Sequence, residues 1–169
     1  VPAPDPFRSD LNEAYPKLWR FCLARTGSRE TGEDLAQATC LRALEKQSRF
    51  KPGTRLDLWL YKMAHRLWLN DLRAQKVRRG QGLVLVEDAG LEDPKPDVVS
   101  NIFGRQVLDR VMSLPDAQRM TVVLVYVEGF KYAQAAEVLD IPIGTVMSRL
   151  AAARAALAAG LKDKKEGAG

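Results

Sequence analysis

The sequence predicts an all-α protein: two small helical domains joined by a flexible acidic linker. Three observations predict it. Apolar residues recur at helical spacing along most of the chain. The one strongly β-branched run, "RMTVVLVYV", lies between a helix start at Pro115-Asp116 and a stop at Gly129, and its length suits a helix better than a buried strand. The composition also changes abruptly after Gly80. At 169 residues there is room for one ordinary domain or two small ones.

Residues 1–10, opening "VPAPDPF", are expected to form an extended, disordered arm, because prolines favour that conformation. They lack the apolar core of a signal peptide. A first helix is expected from Leu11 to Arg25, with Leu11, Tyr15, Leu18, Trp19 and Cys22 on one face and a stop near Gly27. Thr31 then stands where it can cap "GEDLAQATCLRALEK", placing Glu33 and Asp34 in a first turn where the helix dipole favours acids. "RFKPGTR" reads as a loop turning at Pro52-Gly53. The next helix, "LDLWLYKMAHRLWLNDLRAQKVRRG", offers Leu56, Leu60, Met63 and Leu67 as a core stripe. Trp59, Tyr61 and Trp68 lie outside that stripe, so the helix is either buried on several sides or presents aromatics to a partner.

Charge divides the chain. Residues 49–80 hold nine basic residues against two acids, a net +7. Residues 81–104 hold five acids against Lys95 alone, a net −4, with Gly82, Gly90, Pro94 and Pro96 among them. Residues 81–103 are therefore expected to be a linker. Helical patterning resumes at about Phe103. Two short helices are expected at about 132–139 and 143–159, separated by "DIP", the pattern of a helix-turn-helix. Ala135, Ala136 and Leu139 allow a close crossing, and Val146, Leu150, Ala153 and Leu157 form the inward stripe. Thr145, Ser148 and Arg149 are left outside near the helix start, the end that meets base edges in this motif. Residues 163–169 are expected to be a disordered tail.

Several function classes find no support. Cys22 and Cys40 lack CxxC spacing and His65 is the single histidine, so no metal site is expected. No nucleophile–base set, Gly-rich phosphate loop or carboxylate pair stands out, so neither a cofactor nor enzymatic activity is expected. The longest apolar run, "MTVVLVYV", is far short of the ~20 residues that span a bilayer, and a cytoplasmic location is expected. The net charge of +5 and pI near 9.4 point weakly to an anionic partner.

Two segments together resemble the bacterial alternative sigma factors of the extracytoplasmic-function group. "GEDLAQATCLRAL" with "LDLWLYKMAHRLWLNDLRAQKVRR" is similar to the family's region 2, and "LPDAQRMTVVLVYVEGFKYAQAAEVLDIPIGTVMSRLAAARAAL" to its region 4. The resemblance implies a region 2 domain over 11–80 and a region 4 domain over 104–162. It implies docking on core RNA polymerase through Asp34, Leu35, Gln37, Leu41 and Arg42. Arg66, Trp68 and Asn70 would open the −10 element and capture a base, while Arg73, Lys76, Arg78 and Arg79 hold duplex phosphates. Lys131, Thr145, Ser148 and Arg149, with Arg154 on the backbone, would bind the −35 element. Core polymerase, promoter DNA and an anti-sigma factor are the implied partners.

The sequence departs from the family at Ala38, where Glu is usual, and at Arg66, where Asn is frequent. The largest departure is at Met147, Ala151, Ala152 and Ala155, where basic or polar groups are common. Residues 129–160 carry only +1, so this domain is expected to bind DNA weakly by itself. The alternative is a sigma-like decoy that sequesters an anti-sigma factor without binding DNA. The +7 segment argues against it, since a decoy needs no melting apparatus.

Overall fold

The computed structural model describes residues 5–80 and 102–166, and the chain divides into two compact units, each with its own core. All regular structure among the described residues is helical. The expected linker falls almost wholly on residues 81–101, outside the described residues.

The first unit packs three helices: α1 (Pro6–Thr26), α2 (Arg29–Glu45) and α3 (Leu56–Arg78), each in contact with the other two. Helix α1 begins five residues before the expected start, so residues 6–10 are helix and not a disordered arm. The cause is local: Asp5 accepts the Phe7 N–H at 3.1 Å, and Pro6 sits at the first helical position, where its missing donor costs nothing. Gly27, at φ 70°, closes α1 in the left-handed conformation. The cap of α2 is Ser28 and not Thr31; Ser28 Oγ accepts the Thr31 N–H at 3.4 Å, which moves the helix start forward and leaves Glu30 as the first-turn acid. Gly32 lies against α1 so closely that a Cβ there would stand 3.0 Å from Leu23 Cα.

The core of this unit contains Leu18, Phe21, Cys22, Ala36, Ala43, Leu60, Tyr61 and Ala64. Phe21 and Tyr61 stack with ring centroids 4.4 Å apart and planes within 8°. The inward stripe of α3 is thus Leu60, Tyr61, Ala64 and His65, while Leu56, Met63 and Leu67 of the expected stripe are only half-buried. Trp68 follows Tyr61, Ala64 and His65 at the spacing of one helix face, so it extends the core side and is half-buried.

The second unit comprises α4 (Ile102–Met112), α5 (Asp116–Val122), a π-turn (Val123–Val127), α6 (Tyr132–Leu139) and α7 (Ile143–Glu166). The β-branched run is helical, as its brackets imply, but its last turn is widened: the Glu128 N–H reaches back five residues to the Val123 carbonyl at 2.9 Å. That extra residue lets Val122, Val123 and Leu124 remain buried while Tyr126 and Val127 emerge. Arg119 is 5% exposed. Its guanidinium donates to the Met112 and Leu114 carbonyls, both at 3.3 Å, and pairs with Asp116 at 3.1 Å, tying the end of α4 to α5. Asp140, left-handed at φ 54°, ends α6 before Pro142 opens the next helix. Val146, Leu150 and Ala153 bury as the inward stripe, and α7 continues to Glu166, so residues 163–166 are helix and not tail. The run of alanines, the strongest helix formers, sustains that length.

Candidate nucleic-acid and polymerase interfaces

On α2, Asp34, Gln37, Leu41 and Arg42 share the solvent side. Leu41 is 64% exposed, a large apolar side chain kept in water. Arg42 is steadied by Glu45 at 3.2 Å. Leu35 does not belong with them: it is 8% exposed and helps form the core side of the helix, so it supports the surface from beneath. An adjoining groove of about 370 Å³, lined by Leu11, Asn12 and Tyr15 of α1 and by Gln37, Cys40, Leu41 and Leu44 of α2, was not expected. Such a groove arises only from the pairing of two helices, and residue spacing within either one cannot reveal it.

On α3, Arg66, Asn70 and Arg73 stand at i, i+4 and i+7, all exposed, on the side away from the core. Arg73 Nη1 donates to Asn70 Oδ1 at 3.4 Å, which orients the Asn70 amide. Arg78 and Arg79 continue the exposed cationic end, with Lys76 half-buried. Trp68 does not join this face. The aromatic residue that shares it is Trp59, seven residues before Arg66. Trp59 belongs to a half-buried cluster with Phe7 and Phe50, its ring centroid 6.2 and 5.3 Å from theirs. At the foot of α3, burial alone would raise the Asp57 carboxyl. Hydrogen bonds from the Arg55 guanidinium at 2.7 Å and the Leu58 N–H at 2.8 Å outweigh it and hold the group below its ordinary range.

In the second unit, Ser148 is exposed on the outward side of α7, whereas Thr145 and Arg149, expected outside, are half-buried on a flank beside the inward stripe. Ser148 Oγ donates to the Thr145 carbonyl at 3.0 Å and stays free to accept. Lys131 is exposed just before α6, where Gln134 caps its N–H at 2.9 Å. Arg154 is exposed but held: its Nη1 donates to the Tyr126 hydroxyl at 2.9 Å, across 28 residues of sequence, and the neighbouring Tyr132 also favours its charged form. Tyr126 and Tyr132 were not expected here, because the π-turn brings Tyr126 outward and no periodic pattern encodes that. Among the described residues no cluster of His, Cys, Asp and Glu could hold a metal, and no helix is long and apolar enough to cross a membrane.

A cationic helix face in one unit and a helix-turn-helix in the next point to the class of DNA-binding proteins. Comparison with known proteins narrows the class. Sigma-70 region 2 matches residues 11–78, and Sigma-70, region 4 matches residues 104–157. The chain is 33% identical over 164 residues to the ECF RNA polymerase sigma factor EcfG of Rhodopseudomonas palustris, covering 94% of this chain and 87% of that protein. It is 28% identical over 166 residues to SigW of Bacillus subtilis, covering 92% and 89%. Among solved structures it is similar to the sigma factor RpoE of Bartonella quintana, seen in complex with the anti-sigma factor NepR. That likeness has a TM-score of 0.73 at 25% identity and covers 92% of this chain and 96% of the other. The chain belongs to the extracytoplasmic-function sigma factors of the sigma-70 family, transcription regulators that bring core RNA polymerase to promoters.

Proposed function

We propose that three surfaces divide the work of promoter recognition within this chain. The outer face of α2, with Asp34, Gln37, Leu41 and Arg42, docks on core polymerase, and the groove beside Leu41 receives apolar side chains from it. The face of α3 bearing Arg66, Asn70 and Arg73 engages the opened −10 strand, with Lys76, Arg78 and Arg79 on duplex phosphates. The start of α7, through Thr145, Ser148 and Arg149, reads the −35 element; Lys131 and the tyrosine-held Arg154 lie against its backbone. The functional domains are taken to be 11–80 and 104–162. The observation that carries the reading is the alignment of Arg66, Asn70 and Arg73 on one exposed face, with Asn70 oriented by Arg73.

The mechanism needs no catalytic group from this chain, since phosphodiester chemistry belongs to the polymerase. Strand opening costs unstacking energy, which an extruded base recovers by stacking and hydrogen bonding. Stacking on an aromatic ring contributes about 1–3 kcal/mol per base. The ring cluster of Phe7, Phe50 and Trp59, toward the head of the Arg66–Asn70 face, is the stacking surface available on that side. The protein acts in the cytoplasm, and an anti-sigma factor holds it inactive, by analogy with the RpoE–NepR pair.

Run-off transcription with core polymerase tests the reading. Promoter-dependent transcripts are expected on a subset of genomic fragments. Asn70→Ala is expected to slow open-complex formation about tenfold, as loss of a contact near 1.4 kcal/mol would, while leaving closed-complex binding within about twofold. Core binding without any promoter-dependent transcript would favour the decoy and overturn the reading.

A further inference from the structure

The solvent side of α7 has two flanks, and they differ in chemistry. Thr145 and Arg149, four residues apart, form a polar flank beside Ser148. Ile143 and Met147, also four apart, form the opposite flank, and both are large apolar side chains left in water, 46% and 49% exposed. Helical spacing puts Arg154 on this same flank, seven residues past Met147, where the Tyr126 hydroxyl holds it at 2.9 Å. The apolar pair therefore lies between the helix start and a fixed cation, continuous with the face that meets the −35 element.

We propose that Ile143 and Met147 are specificity-determining residues that read thymine in the −35 element by covering its C5 methyl group; this rests on the assignment of α7 to that element. Among the groups by which the major groove tells base pairs apart, the thymine methyl is the apolar one that projects from the edge, so it is the favourable target for an apolar side chain. Met147 suits it, because its unbranched thioether adapts to an irregular apolar surface. The low charge of this helix agrees: with alanine at positions 151, 152, 155 and 156, phosphate attraction does little, and selectivity must come from contacts at the base edges. Ser148, between the flanks, supplies a hydroxyl for a neighbouring base.

The test uses holoenzyme reconstituted from the full chain and core polymerase. Promoter duplexes are selected from genomic fragments, and each thymine of the shared upstream element is replaced singly by deoxyuridine, which removes only the methyl. At one or two positions affinity is expected to fall about fourfold, the equivalent of one methyl group returned to water. Met147→Ala should erase that difference, and Met147→Leu should keep it. If no thymine is methyl-sensitive, or if Met147→Ala and Ile143→Ala both retain the full effect, the inference is wrong. It is also wrong if Met147→Ala leaves promoter affinity unchanged and weakens only capture by an anti-sigma protein, for then the patch serves protein docking. Selection of fragments that share a −10 motif but no upstream element would instead remove the −35 assignment itself.

Discussion

Cys22 sits fully enclosed between α1 and its neighbours, and that enclosure decides its chemistry. Burial, with Cys40 nearby, pushes its thiol up to about 12, and burial raises Cys40 as well. A thiol raised in the folded state favours folding only while it stays protonated. Its contribution is intact below the unfolded value near 9 and is lost as pH climbs toward 12. Urea unfolding of the wild type should therefore show stability falling across that window, and Cys22→Ala should show a shallower decline despite its lower starting stability. Two other residues lie on a different side of their helices from the one expected. The family resemblance put Leu35 on the docking surface, and its packing against the neighbouring helices fixes it inward. For Trp68 the family resemblance implied a part in −10 opening. Its spacing from Tyr61, Ala64 and His65 assigns it to the core side, and Trp59 takes its place on the outer face.

Helices were the most legible feature of the sequence. Gly27, Pro52-Gly53, Gly129 and "DIP" each break the chain where the spacing predicts. The errors are at caps and registers. Asp5 and Ser28 start their helices earlier than expected because a single side-chain hydrogen bond decides a terminus, and several residues in each stretch can make it. The π-turn had no sequence signature beyond its valines, since its widened hydrogen bond follows from packing on both sides. Arg119 was invisible for the same reason. Its guanidinium serves two backbone carbonyls and Asp116 within a buried junction, so truncation strands all three acceptors. Arg119→Ala is expected to destabilise the second unit by about 2–4 kcal/mol, within the range for breaking a buried charged hydrogen-bond set. The check is the opening free energy read from amide hydrogen exchange of α5 and α6; a change below about 1 kcal/mol would mean that the junction is solvated.

For the whole molecule the decisive quantity is where the charge lies. Residues 49–80 carry +7 and residues 129–160 only +1, so salt should act on the two contact modules unequally. Replacing Lys76, Arg78 and Arg79 together with alanine should lower the salt slope of holoenzyme–promoter binding by up to about 2.7, near 0.9 for each duplex phosphate released. Arg149→Ala should lower it by about 1 or less. Equal losses from the two variants would contradict this division. The exposed alanines of α7 have a consequence for how much a promoter must say. From Ala151 to Ala159 every exposed side chain of α7 is an alanine except Arg154, which Tyr126 holds, so hydrogen-bonded readout of bases lies before that stretch. The discriminating residues occupy the first two turns, about 12 Å of helix at 1.5 Å per residue. That length faces about three to four base pairs at 3.4 Å each. The information content of the upstream element should be concentrated in so short a word, with near-random sequence on either side of it.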